Sequence, residues 1–215
     1  MPGSSDRSEQ SERLIRFWDK QARTYDRKIG FLDRHLFAGS REWICSRAHG
    51  DVLEVAIGTG LNLPHYPAGV RLTGIEQSPE MLAVARHRAE SSRHEVDLRL
   101  GDAQALDFPD ATFDSVVCTF SLCAIPDERR AVAEMVRVLR PGGLLLLADH
   151  VEASTWYSRL VQAGIELFSV RFGGEHLRRR PIAHVRAAGL DVEWHERFTQ
   201  GIVERLAARK QRSAA

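Results

Sequence analysis

Apolar residues fall along this chain in short continuous runs, separated by stretches where they recur every three or four positions. The runs are 52–57, 70–75, 113–120 and 144–148. They are rich in Val, Ile and Leu, and β-branched side chains suit a pleated strand better than a helix. Residues 96–100 alternate apolar and polar, which predicts a half-buried strand. Two further strands are read over 190–194 and 202–206, joined by a short loop containing Gly201. Helical spacing fills the intervals. Ser78-Pro79-Glu80 starts one helix: Ser caps it, Pro takes its first turn, and Glu meets the positive end of the dipole. Met81, Leu82 and Ala85 form its inner face. Asp127 caps another helix, with Val132, Met135, Val136 and Leu139 as the buried stripe, and Arg140-Pro141-Gly142-Gly143 stops it. Strands alternating with helices predict parallel crossovers and a doubly wound α/β sheet, closed at one side by the final hairpin.

Two stretches do not belong to that alternation. Leu14, Phe17, Trp18, Gln21 and Tyr25 share one helical face and predict a helical cap on the domain. Residues 1–12 before it are polar and predict an unstructured terminus without a secretory signal. A second helix is expected over 35–48. Between 154 and 180, Trp156, Tyr157, Leu160, Val161, Ile165, Leu167 and Phe168 spread around too much of a helix for one stripe. Such a helix either packs on the sheet or covers something, and the reading adopted is a lid over about 151–180. Arg178-Arg179-Arg180 then offer either an anion site or a solvated helix start.

The chemistry centres on 51–66, DVLEVAIGTGLNLPHY. Gly58-Thr59-Gly60 directly follows a buried strand, where glycine lets backbone approach a ligand closely. Open α/β sheets bind ligands at this edge. A dinucleotide fingerprint needs a third glycine where Leu63 stands, and Pro64 and Pro67 interrupt the helix it requires. A P-loop is excluded because no Gly-Lys-Ser/Thr follows. What remains is a glycine turn with Glu54 in the strand before it and Glu76 at the end of the next. Glu76 stands about 20 residues on, the spacing at which a strand-end carboxylate takes ribose hydroxyls. A buried Glu54 needs a cation or hydrogen-bond donors.

Composition narrows the classes. The 215 residues suit one domain, predicted over 13–215, and the net charge of +1 gives no electrostatic reason to expect nucleic acid. No apolar run approaches the roughly 20 residues of a membrane span. Three cysteines without a C-x-x-C pair point to reduced thiols and a cytoplasmic setting. No metal is expected, since the nine histidines do not stand at ligand spacing to cysteines or acids in the sequence.

E-V-A-x-G-T-G (54–60) resembles motif I of the class I S-adenosylmethionine (SAM)-dependent methyltransferases, with Ala56 where the first glycine often sits. G-D-A-x-x-L-x-F-P-D-x-x-F-D (101–114) and R-V-L-R-P-G-G (137–143) resemble later signatures of the same family. F-W-D-x-x-A-x-x-Y-D (17–26) resembles the N-terminal segment of its quinone and phosphatidylethanolamine members. The resemblance implies a Rossmann-like seven-stranded sheet with the last strand antiparallel, and SAM as cofactor. It implies cofactor contacts from Tyr25, Glu54, Ala56, Gly58, Gly60, Asn62, Glu76, Gln77, Met81, Asp102, Ala103, Phe120 and Ser121. In this picture Glu54 meets the SAM ammonium, Glu76 the ribose, and Asp102 with the Ala103 N–H the adenine. Leu122, Cys123, Trp156 and Tyr157 would line the acceptor pocket, and His150 would be a general base where one is required. The implied function is methyl transfer to N, S or O of a small or lipophilic acceptor. Phospholipid N-methylation, with peripheral membrane contact, and a non-catalytic SAM-binding regulator are the alternatives.

Overall fold

The computed structural model describes residues 4–37, 39–174 and 176–212. Seven strands form one sheet in the order β3-β2-β1-β4-β5-β7-β6. They are β1 (Asp51–Val55), β2 (Arg71–Glu76), β3 (Val96–Leu100), β4 (Phe113–Thr119), β5 (Leu139–His150), β6 (Asp191–Phe198) and β7 (Val203–Arg209). The first five pair in parallel, and β7 runs antiparallel to both β5 and β6. The chain crosses outward from β1 to β2 and β3 on one side, then returns to place β4 on the other. β1 and β4 therefore flank the switch point, where their carboxyl ends diverge and leave a crevice.

The period-two alternation of strands divides the core. Leu53, Val55, Val116, Cys118, Leu145 and Leu147 face one way, against α4 (Glu128–Val138) and α6 (Pro181–Ala187). Val52, Val117, Leu144 and Leu146 face the other way, against Phe37 and α2 (Ser40–Cys45). Both faces are covered, which is why these strands read as continuous apolar runs. α3 (Pro79–Ala89) begins as the sequence predicts, the Ser78 side chain accepting from Met81 N.

Several boundaries differ from expectation. α1 spans Ser4–His35, so helix replaces the unstructured terminus expected before residue 13; residues 1–3 lie outside the described residues. An i,i+4 ion pair, Glu12–Arg16 at 3.3 Å, supports it on the exposed side. Because α1 runs to His35 and Gly39 turns the chain at φ 69°, the helix expected over 35–48 shrinks to Ser40–Cys45. Leu139, expected on the α4 stripe, opens β5 opposite Phe113, and a register shift between Phe113 and Ser115 absorbs the Pro-Gly-Gly segment. β6 and β7 outrun their apolar cores because charged positions pair across them, Arg209 with Glu193 at 2.5 Å and Arg205 with Glu196 at 2.8 Å.

Candidate active site

A cavity partly open to solvent occupies the crevice at the switch point, with about 920 Å³ between its walls when the open solvent is included. Its floor is built from four strand ends: 56–59 after β1, 76–78 around the end of β2, 101–104 after β3 and 119–121 after β4.

Glu76 organises one side. Its Oε2 accepts the Gly58 N–H at 2.9 Å, and its Oε1 accepts those of Gln77 and Ser78, each at 2.9 Å. One carboxylate thus ties the glycine turn to the start of α3 while facing the cavity. Burial raises its pKa, and the three N–H donors oppose that rise. Gly58 adopts φ 59°, and a Cβ built there would meet no atom within 4 Å, so the turn borders open space. Gly60, at φ 79°, lies away from the cavity, where a side chain would crowd Leu63 and the Ala85 backbone. Two non-glycine residues also carry left-handed backbone at strand ends facing the cavity, Ala56 at φ 55° and Phe120 at φ 52°. Such conformers cost about 1 kcal/mol or more each and gather where a site demands them.

The roof is α1. Leu14, Ile15, Trp18 and Tyr25 face the cavity, with Trp18 and Tyr25 edge to face at 6.0 Å. Two carboxylates pin the helix there. Asp19 accepts from the Ser78 hydroxyl at 2.5 Å and the Glu80 N–H at 3.3 Å. Asp26 accepts from the Thr59 hydroxyl at 2.6 Å and pairs with Arg88. The lid expected from α5 (Trp156–Gly173) is therefore supplied by α1. Trp156 and Tyr157, expected in the acceptor pocket, stand on the outer surface instead.

Ten of the anticipated residues line the cavity: Tyr25, Ala56, Gly58, Glu76, Gln77, Met81, Asp102, Ala103, Phe120 and Ser121. Glu54 and Asn62 do not. Glu54 shares the α2 face of β1 with Val52, and its oxygens accept from Asn62 Nδ2 and Tyr66 Oη, both at 2.8 Å. Its needs are met by neutral donors rather than by a ligand ammonium. Burial pushes its pKa up to about 7 against those two hydrogen bonds. Arg41, which the sequence did not mark, reaches this network from α2. Its Nη1 donates to Asn62 Oδ1 and Thr119 Oγ1, each at 3.1 Å, and its guanidinium lies 5.1 Å from the Phe120 ring centre. Arg41 and Thr119 both face the cavity. A single Arg on a short helix has no local signal; only the tertiary fold brings it here.

Leu122, Cys123 and His150 sit behind the wall. The His150 ring packs against Phe37 at 5.0 Å and Phe120 at 5.3 Å, so Phe120 stands between it and the site. Burial, aided by Arg41, lowers its pKa to about 4 and keeps it neutral. Ligand atoms of Cys123, Asp149 and His150 lie within 4.8 Å of one another, a grouping their sequence spacing hid. Asp149 is already engaged there, accepting from the N–H groups of Leu122 and His150 at 2.7 Å each and of Ser121 at 3.2 Å. It anchors the loop that forms the cavity wall.

A family model described as a methyltransferase domain matches residues 53–147, from β1 into β5. Ubiquinone/menaquinone biosynthesis C-methyltransferase UbiE of Geobacter sulfurreducens is 33% identical over 178 residues, covering 76% of this chain and 67% of the relative. This chain belongs to the class I SAM-dependent methyltransferases. Phosphatidylethanolamine N-methyltransferase of Cereibacter sphaeroides is 50% identical over 103 residues, covering 47% of this methyltransferase and 51% of the relative. Thiol S-methyltransferase TMT1A of Homo sapiens is 34% identical over 137 residues, covering 61% and 56%. The chain thus spans about half the length of these two curated relatives. A solved SAM-dependent methyltransferase from Thermotoga maritima shares the fold, with a TM-score of 0.69 at 21% identity, covering 91% of this chain and 99% of that one. SAM is accordingly the cofactor. The cavity wall carries two carboxylates, Glu76 and Asp102, acceptors whose chemistry fits a cation that bears hydroxyl and amino donors.

Proposed function

We propose that this methyltransferase transfers the methyl group of SAM to N or S of a lipophilic acceptor. The supporting observation is the character of the cavity lining. Its roof and far wall are apolar, from Leu14, Ile15, Trp18, Phe120 and Ile125, and it includes no imidazole and no lysine among the described residues. Bound SAM supplies an activated methyl on a sulfonium, which leaves as a neutral thioether. The residues here bind, orient and exclude water. Glu76 holds the ribose edge, Asp102 the adenine edge, and the α1 roof closes over both. Alignment of nucleophile and methyl carbon supplies most of the acceleration. An amine or thiol can lose its proton to bulk water before entering, so no protein base is needed. Phospholipid N-methylation is the second reading, favoured by the 50% identity to the phosphatidylethanolamine enzyme across 103 residues. The three cysteines are free and buried, which fits a reducing compartment.

Labelled SAM tested against detergent-dispersed phosphatidylethanolamine, an alkyl thiol and a phenol of similar length is expected to label the amine or the thiol. Turnover should follow the acceptor's own ionisation as pH rises. Phenol methylation of equal efficiency at neutral pH overturns this reading. His150→Gln is expected to keep turnover within about threefold of wild type, whereas loss of a true base costs about 10²–10⁴-fold.

A further inference from the structure

The helix α5 is turned inside out. A helix on a globular surface normally hides its apolar stripe and shows its polar one. Here the buried side is polar. Gln162 accepts the Ala153 N–H at 2.7 Å and donates to the Val151 carbonyl at 2.9 Å, and the Ser158 hydroxyl donates to Gln200 Oε1 at 2.6 Å. The outward side is apolar: Trp156, Leu160 and Leu167 are 72%, 64% and 77% exposed, and Tyr157, Val161 and Ile165 stand exposed with them.

Two features say what covers this face. Trp156 and Tyr157 stand together at the first turn, 6.0 Å apart, and such rings favour the boundary between hydrocarbon and water. The exposed positions of α5 include Arg159 and no acid. Its single acid, Glu166, is only partly exposed and is paired with Arg178. The face therefore offers no repulsion to an anionic surface.

We infer that the outer face of α5 docks on a phospholipid surface. It stands on the helix alone and does not depend on the acceptor class proposed above.

The test is co-sedimentation of the full chain with vesicles of phosphatidylcholine, with and without phosphatidylglycerol. The wild type is expected to pellet, more strongly with phosphatidylglycerol. Leu160→Glu/Ile165→Glu is expected to lower the partition coefficient at least tenfold while leaving SAM affinity, read by calorimetry, unchanged. Trp156 should report insertion by a blue shift that Trp156→Phe abolishes. Wild type that stays in the supernatant of both vesicle types at low salt overturns docking, as does a double variant that pellets like wild type. A wild-type dimer that the double variant dissolves, with no vesicle binding by either, gives the face to a second copy and also overturns it. Retained methylation of detergent-dispersed acceptor in those cases leaves the acceptor reading intact. Vesicle binding without methylation of any lipophilic acceptor overturns the acceptor reading and leaves docking standing.

Discussion

Glu76→Ala is expected to weaken SAM binding by at least about 100-fold, a loss of about 2.7 kcal/mol. Two effects add. The ribose loses an acceptor for its hydroxyls, and a hydrogen bond to a charged group is worth about 1.5–3 kcal/mol. The Gly58, Gln77 and Ser78 N–H groups lose their shared partner as well, so the glycine turn and the start of α3 are no longer tied together. Glu76→Gln separates the two. A glutamine keeps one acceptor oxygen, but its amide turns a donor toward either Gly58 or the Gln77/Ser78 pair, where donors already point. It should fall between alanine and wild type. Calorimetric titration with SAM reads the affinity, and a thermal melt without ligand checks that the sheet is intact. A change below about fivefold in a folded Glu76→Ala variant would sink the ribose assignment.

Glu76 and Gly58 were legible as site candidates because each stands at a predicted strand end, at the spacing that the resemblance expects; the strand order that makes them neighbours comes from the fold. The resemblance, together with positions after the third and fourth predicted strands, carried Asp102 and Ser121 to the cavity wall. It failed for Glu54, one strand position that the motif places beside the ligand. Side chains alternate along a strand, and Glu54 shares its parity with Val52, which packs on the α2 side. Asn62 and Tyr66 return to that side through the short 3₁₀ turn at Leu63–His65 and satisfy it.

The lid was misplaced for a different reason. α1 reads as an amphipathic cap and α5 as a helix apolar on most sides, and hydrophobicity alone does not say which part of the sheet each one covers. The deciding contacts are polar and long-range: Asp19 with Ser78 and Asp26 with Thr59 on α1, Gln162 with the Val151 and Leu177 carbonyls on α5. An exposed-looking aspartate on the first helix gives no hint of a partner 59 residues away. His150 failed similarly, since its place at a strand end was right but the Phe120 ring occupies the space before it.

Glu54→Gln is expected to make the protein more stable at pH 8 and to leave it unchanged near pH 4. In the folded chain Glu54 holds its proton up to about pH 7, against an ordinary value of 4.5. Between those values the native state binds a proton that the unfolded chain releases, so the Glu54 contribution to stability falls as pH rises through that window. Above about pH 7 the loss is complete, on the order of 3 kcal/mol for a shift of this size. Glutamine removes the titration and keeps the bonding. Its oxygen accepts from Asn62 Nδ2, and its amide donates to Tyr66 Oη, whose own proton then turns toward Cys45, already a hydrogen-bond partner of that hydroxyl. Asp149, also raised to about 7 by burial, leaves a residual slope that both proteins share. The difference between their melting temperatures should therefore open between pH 5 and pH 7 and reach about 5 °C or more by pH 8. Parallel curves across that range would mean that Glu54 is ionised in the folded protein, with Arg41 rather than a proton balancing its charge.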